Sequence, residues 1–102
     1  MGIAENIKEY LEEQNPEATL WDDCDSALIG TARIQREDQW TIVAMYSYER
    51  LVQHFIEDFR ATYLSKEEPI SERELEEIAI EHVDYNISNA YIGPFTPMII
   101  YN

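Results

Sequence analysis

Trp40-Thr41-Ile42-Val43-Ala44-Met45-Tyr46-Ser47-Tyr48-Glu49-Arg50-Leu51-Val52 is the stretch that decides the fold. Its first half, residues 40–46, is strongly apolar and rich in β-branched and aromatic side chains, the composition of a strand. From Ser47 the apolar positions change period. Tyr48, Leu51, Val52, Phe55, Phe59 and Tyr63 form one helical stripe, while Glu49, Arg50, Gln53, Glu57 and Arg60 fall on the other side. Upstream, residues 27–34 read as a second strand, and the polar link Gln35-Arg36-Glu37-Asp38-Gln39 fits a hairpin loop. A hairpin of this size needs cover on at least one face, which flanking helices can supply.

Those helices are legible on both sides. Ile3, Ile7, Tyr10 and Leu11 recur at i, i+4, i+7, i+8, and Asn15-Pro16 ends that helix because the residue before proline avoids helical dihedrals. Residues 17–26 are acidic and loop-like, with Leu20 and Trp21 as core anchors. Beyond the central helix, the link of residues 64–70 contains Glu67-Glu68-Pro69 and is expected to be exposed. Ser71-Glu72-Arg73-Glu74 is a capping box, with Glu72, Glu74, Glu76 and Glu77 near the positive end of the helix dipole. This last helix is expected to run to about Tyr91, where Gly93-Pro94 stops it. Residues 98–101 read as a short strand joining the hairpin. The order α-β-β-α-α-β predicts a single α+β domain over residues 1–102: a small, mostly antiparallel three-stranded sheet with three helices.

Composition narrows the function. The 102 residues carry 21 Asp and Glu against 7 Lys and Arg, a formal net charge of -14. Such a charge argues against direct binding to nucleic acid or to an anionic membrane, because both repel it. The apolar fraction, 45%, is enough to form a core and argues against disorder. Cys24 is the only cysteine, so no intrachain disulfide forms. No run approaches the 18 or more apolar residues of a membrane span, and the N-terminus lacks a signal-peptide pattern. The expected compartment is the cytoplasm. Met1-Gly2-Ile3-Ala4-Glu5-Asn6 starts like a myristoylation site but has Asn6 where Ser or Thr is required, and Asn86-Ile87-Ser88 matches a glycosylation acceptor inside a helix. Both read as chance matches.

No catalytic or cofactor motif stands out. Cys24, His54, His82 and the carboxylates lack the paired spacings that place several ligands around one ion. Asp22-Asp23-Cys24-Asp25 lacks the turn glycine and distal glutamate of a calcium loop, and its three Asp disfavour a reactive thiolate. The only three glycines, Gly2, Gly30 and Gly93, are too far apart for a phosphate loop. His82 with Asn86 and Tyr91 is the one constellation that could place a small-molecule site. Its competing reading is structural, with the asparagines bonding backbone groups of the following loop.

The charge distribution says more. Residues 1–26 hold eight acids and one base, residues 67–84 again eight acids and one base, and the centre five of each. Glu77, Glu81, Asp84 and Ser88 follow i, i+4, i+7, i+11, which draws an acidic ridge on one helix. The candidate partner-binding residues are Glu67, Glu68, Glu72, Glu76, Glu77, Glu81 and Asp84, with Glu9, Glu12 and Glu13. Such a surface suits a basic protein partner, and in its sharper form nucleic-acid mimicry, with carboxylates in place of phosphates. One ridge offers a charge about every 5–6 Å, against one per about 1.7 Å of duplex, so several elements or a dimer must combine. The competing reading is an acidic face serving only solubility.

Three segments carry a resemblance: Asp25-Ser26-Ala27-Leu28-Ile29-Gly30, Val43-Ala44-Met45-Tyr46-Ser47-Tyr48, and the tail from Asn86 through Asn89-Ala90-Tyr91-Ile92-Gly93-Pro94-Phe95-Thr96-Pro97. In this order they resemble a family of small acidic bacteriophage and prophage proteins, from which the long link of residues 63–71 departs. No activity belongs to that family as a whole, so no site residue is carried over. The resemblance implies a phage-encoded, intracellular setting in which small acidic proteins block a host nucleic-acid-binding or defence protein. The sequence expectation is therefore a non-enzymatic protein without cofactor that binds and inhibits a basic host protein. The alternatives are a small-molecule-binding protein or enzyme near His82, Asn86 and Tyr91, and a self-assembling protein whose helix stripes form a homodimer.

Overall fold

The computed structural model describes residues 2–101, so Met1 of the myristoylation-like match lies outside the described residues. Helix α1 spans Ile3–Gln14, strand β1 Leu28–Arg36, strand β2 Gln39–Ser47, helix α2 Tyr48–Ser65, helix α3 Glu72–Val83 and strand β3 Met98–Ile100. This is the expected α-β-β-α-α-β order in an α+β fold. Short turns of 3-10 and π helix, Asp25–Ala27 and Asp84–Ser88, lead into β1 and out of α3. The molecule is elongated, 48 × 31 × 22 Å, with a radius of gyration of 15.2 Å. About 13 Å is usual at this length. The sheet with α1 makes one part, and the α2–α3 pair extends from its end.

The hairpin is longer and tighter than its polar link suggests. Pairing runs to Arg36↔Gln39, leaving only Glu37-Asp38 as the turn. Both residues have positive φ (49° and 65°), as a two-residue turn matched to strand twist requires. Gln35, Arg36 and Gln39, polar and therefore assigned to the loop, are ladder residues. A bulge between Leu28 and Gly30 shifts the register at the other end. At Gly30 an added Cβ would sit 3.2 Å from the Met45 methyl, a tight cross-strand contact that the Met45 side chain would have to ease by a few tenths of an ångström.

At the far end of β2, Ser47 caps α2 by accepting from the Arg50 N–H at 3.2 Å. The strand therefore becomes a helix without a loop. Leu51 of the predicted stripe is fully buried, while Tyr48, Val52, Phe55, Phe59 and Tyr63 are half-buried. The helix ends in a Schellman arrangement: Glu67 N–H bonds the Leu64 carbonyl and Glu68 N–H the Tyr63 carbonyl, both at 3.1 Å. Glu67 holds the left-handed position, φ 55°, where glycine is usual. The capping box at Ser71 and Glu74 then starts α3 as predicted.

One further expectation changes. The last helix stops at Val83 and unwinds through one π turn by Ser88, instead of continuing to Tyr91. Asn86 and Asn89 drive this by bonding back into the helix, not forward into the loop. Their amides donate to the His82 carbonyl (3.1 Å) and the Asp84 carbonyl (2.8 Å), competing with the main-chain ladder. The sheet is mostly antiparallel, as expected, with one parallel edge. β1 and β2 are antiparallel, but β3 pairs parallel to β2, Met45↔Met98 to Ser47↔Ile100. After α3 the chain runs back along the sheet to the hairpin turn, where the Tyr91 hydroxyl donates to Glu37 at 2.9 Å. It reverses at Gly93 (φ 121°) and enters β3 in the direction of β2. Thr96 holds the reversal: its hydroxyl donates to the Gly93 carbonyl (2.7 Å) and accepts from the Ile92 N–H (2.9 Å). Arg36 clamps it by donating to the carbonyls of Pro94 and Thr96.

The core joins both parts of the molecule. Leu11, Cys24, Ala27, Leu28, Ala44, Tyr46, Leu51, Val83 and Ile87 form one buried cluster. Glu67→Gly is expected to raise stability by roughly 0.5–1 kcal/mol, because glycine removes the left-handed penalty at a net gain over its larger unfolded-state entropy. A higher urea midpoint, with no gain for Glu67→Ala, is the result that checks it.

Candidate functional site

The acidic side chains of the sequence lie on separate supports. Glu9, Glu12 and Glu13 are exposed on α1, which packs on β1 and β2. Glu72, Glu76, Glu77 and Glu81 are exposed on α3, which packs on α2, and Glu67 and Glu68 occupy the turn between those helices. Three of these groups have partners. Glu72 pairs with Arg60, Glu77 pairs with Arg73 at 3.3 Å, and half-buried Asp84 accepts from the Tyr48 hydroxyl at 2.7 Å. Asp84 therefore anchors the α3 end to α2 as well as continuing the ridge. Among the described residues, Glu67, Glu68, Glu76, Glu81, Glu9, Glu12 and Glu13 form no ion pair.

The bases are largely committed. Lys8 bonds Asp25 at 2.7 Å, Arg33 lies over the Trp40 ring at 5.1 Å, and Arg36 holds the tail while facing the Tyr91 ring at 5.6 Å. Exposed pairs of this kind contribute little to stability, but they leave few free cations to offset the field. Every described non-glycine residue with positive φ is also acidic: Asp23, Glu37, Asp38 and Glu67. Glycine or asparagine would fit those backbones with less strain.

The constellation of His82, Asn86 and Tyr91 is divided. The His82 ring lies against Phe55 (4.4 Å) and Phe59 (5.5 Å), and the Asn86 amide reaches its Nδ1 at 3.3 Å. Both residues line an open hollow of about 310 Å³ with Phe59, Ile78, Glu81 and Tyr85. Tyr91 stands apart, bonded to Glu37 at the hairpin turn. Its hydroxyl pKa is raised, first by that hydrogen bond to a carboxylate.

A larger hollow, about 630 Å³, opens between α1, the acidic loop and α2. Lys8, Trp21, Asp22, Asp23, Asp25 and His54 are among its walls. The sequence named the loop, its anchors and His54 separately, and the packing of α2 brings His54 to the hollow. Among the described residues no three His, Cys, Asp or Glu side chains converge to hold a metal ion. Among the described residues no helix is long and apolar enough to cross a membrane.

Beneath that loop the buried Tyr46 hydroxyl finds its hydrogen-bond partner. The Tyr46 hydroxyl accepts from the Trp21 N–H at 3.0 Å, and their rings pack at 5.1 Å. Burial pushes the Tyr46 hydroxyl up to about 12. Tyr48 is likewise pushed up to about 12, by burial and then by its bond to Asp84. Cys24 is 2% exposed, and burial followed by the charges of Asp23, Asp25 and Asp22 raises its thiol. No known protein family, curated protein or solved structure matches the chain.

Two outcomes are expected from these shifts. Cys24 should react with a thiol reagent at about pH 8 only after unfolding, since both burial and charge withhold the thiolate; rapid labelling of the native chain would contradict this. For Tyr46 and Tyr48 the folded value lies above the unfolded one, so the unfolded state binds fewer protons once pH exceeds about 10. Stability should then fall as pH rises from about 10 to about 12. Urea midpoints across that window, with tyrosinate absorbance showing late-titrating hydroxyls, check the sign.

Proposed function

We propose that this chain is a non-enzymatic acidic protein that binds, and thereby blocks, a basic surface on another protein. The supporting observation is the exposed and unpaired carboxylate set on α3 and the turn before it, Glu67, Glu68, Glu76 and Glu81, in a chain of net charge -14. Uncompensated charge of one sign steers an oppositely charged partner and speeds its encounter. Glu37 and Glu67 at left-handed positions support the same reading, because they stand where glycine, asparagine or aspartate would fold with less strain.

In keeping with the resemblance to phage proteins, the partner class we assign is a host nucleic-acid-binding or defence protein in the bacterial cytoplasm. Nucleic-acid mimicry is the narrower form of this proposal. It requires acids from more than one element, because α3 alone spaces its charges more widely than phosphates.

The test is capture from a bacterial lysate at low salt, followed by affinity measurement with the purified partner. Affinity should fall steeply between about 50 and about 200 mM salt. Replacing Glu76 and Glu81 by Lys should weaken binding at least tenfold without changing the fold. An affinity flat in salt, or indifferent to both reversals, would remove the proposal.

A further inference from the structure

The sheet has two long edges; one is partly covered, and among the described residues the other is not. On the β3 side of β2, β3 pairs with residues 45–47, and beyond it the Asn15 amide donates to the Ile42 carbonyl at 2.8 Å. On the other side, β1 presents nine residues. Because Glu37-Asp38 is a two-residue turn, Arg36 and Gln39 form a hydrogen-bonded pair. Alternation then directs the main chain of Ala32 and Ile34 toward β2 and that of Thr31, Arg33 and Gln35 outward. Among the described residues, no backbone group outside the β1–β2 ladder bonds to those three. An open edge of this length is a template for another strand.

A groove runs beside that edge. Ile3, Asn6, Ile7 and Tyr10 of α1, with Gly30 and Thr31 of β1, line an open and mainly apolar hollow of about 370 Å³. Ile3 is 74% and Tyr10 45% exposed. The helix stripes expected to mediate self-association are largely consumed within the chain, since Leu11 and Leu51 are buried and Ile7, Val52 and Phe55 pack against the core. The hollow places exposed apolar surface beside the outward main-chain groups of β1.

Charge selects the occupant. Two copies, each at -14, repel over most of their surfaces. β1 is the exception: it carries Arg33 and Arg36 and no acid, while α1 beside it supplies Glu5, Glu9, Glu12 and Glu13. An antiparallel twofold pairing brings Arg33 of each β1, exposed on the sheet face that carries α1, toward the acidic α1 of the other copy, whereas Arg36 stays on the opposite face with the tail. It is also self-complementary, because the same edge serves both sides of the contact.

We propose that two copies of this chain pair β1 to β1, antiparallel about a twofold axis, into one six-stranded sheet. The two α1 helices then lie on the same face of the joined sheet, with their apolar hollows meeting near the axis. The dimer stands independently of the basic-partner reading.

The experiment is the solution mass by sedimentation equilibrium, from about 5 to about 500 μM, a range that brackets weak and moderate self-association. The expected result is a mass rising to that of two chains. Thr31→Pro removes an outward N–H without taking a bond from the β1–β2 ladder, and should weaken the dimer at least tenfold with an unchanged circular dichroism spectrum. Tyr10→Glu, on the exposed face of α1, should do the same and keeps the test decisive if the proline variant does not fold. In the native chain, the Thr31 and Arg33 amides should gain protection from hydrogen exchange as concentration rises. A monomer at every concentration, a dimer indifferent to Tyr10→Glu, or exchange at those amides independent of concentration would each overturn the proposal.

Discussion

A buried tyrosine hydroxyl has one requirement, a hydrogen-bond partner, and Tyr46 meets it at the Trp21 N–H. Without that contact both groups would be buried without this hydrogen bond, at a cost of about 1–3 kcal/mol each. The bond draws the acidic loop onto the sheet and brings Trp21 against the Tyr46 ring, and Cys24 and Ala27 are buried in the same cluster. Tyr46 also lies next to Ser47, where strand becomes helix. One residue therefore sits where loop, sheet and α2 meet. The sheet-and-α1 part and the α2–α3 part of the elongated molecule share their core around it.

The polar interactions of the tail follow a second constraint, that main-chain groups at a sheet edge must find partners. β3 is only three residues long and leaves the rest of its edge of β2 uncovered. Asn15 supplies a side-chain amide there, and the Phe95 carbonyl accepts from Thr19 N–H to fix the tail beside it. Arg36 and Glu37 hold the tail from the hairpin end. The tail of residues 86–97 thus acts structurally as the device that turns β3 parallel to β2. The open edge of β1 has no equivalent device.

Electrostatics works against stability here, and the structure shows how that is contained. Acids are kept on exposed positions where water screens them, and several are placed at helix starts or paired with the few bases available. What remains uncompensated is concentrated on α3 and its approach, and on the outer face of α1. These groups are not needed for packing, which leaves them available for recognition.

Much of the fold was legible in residue order. The period change at Ser47, the capping box at Ser71 and the proline after Asn15 act through local backbone chemistry, and each produced the expected element. The exposure of the acidic glutamates was equally legible, because it follows from solvation alone, whereas the half-burial of Asp84 against Tyr48 was not. Less local features were not. The Glu37-Asp38 turn depends on strand pairing that holds two non-glycine residues at positive φ. The early end of α3 depends on where the amides of Asn86 and Asn89 point. The separation of Tyr91 from His82, and the parallel direction of β3, depend on a tail that reaches Arg36 and Glu37 across more than fifty residues. The sequence by itself determined the order of elements, the core-facing stripes and the sign of the surface, since these follow from periodicity and solvation. Tertiary structure alone decided the mixed sheet, the covered and open edges and the grouping of the side chains, because each depends on contacts between residues far apart in the chain.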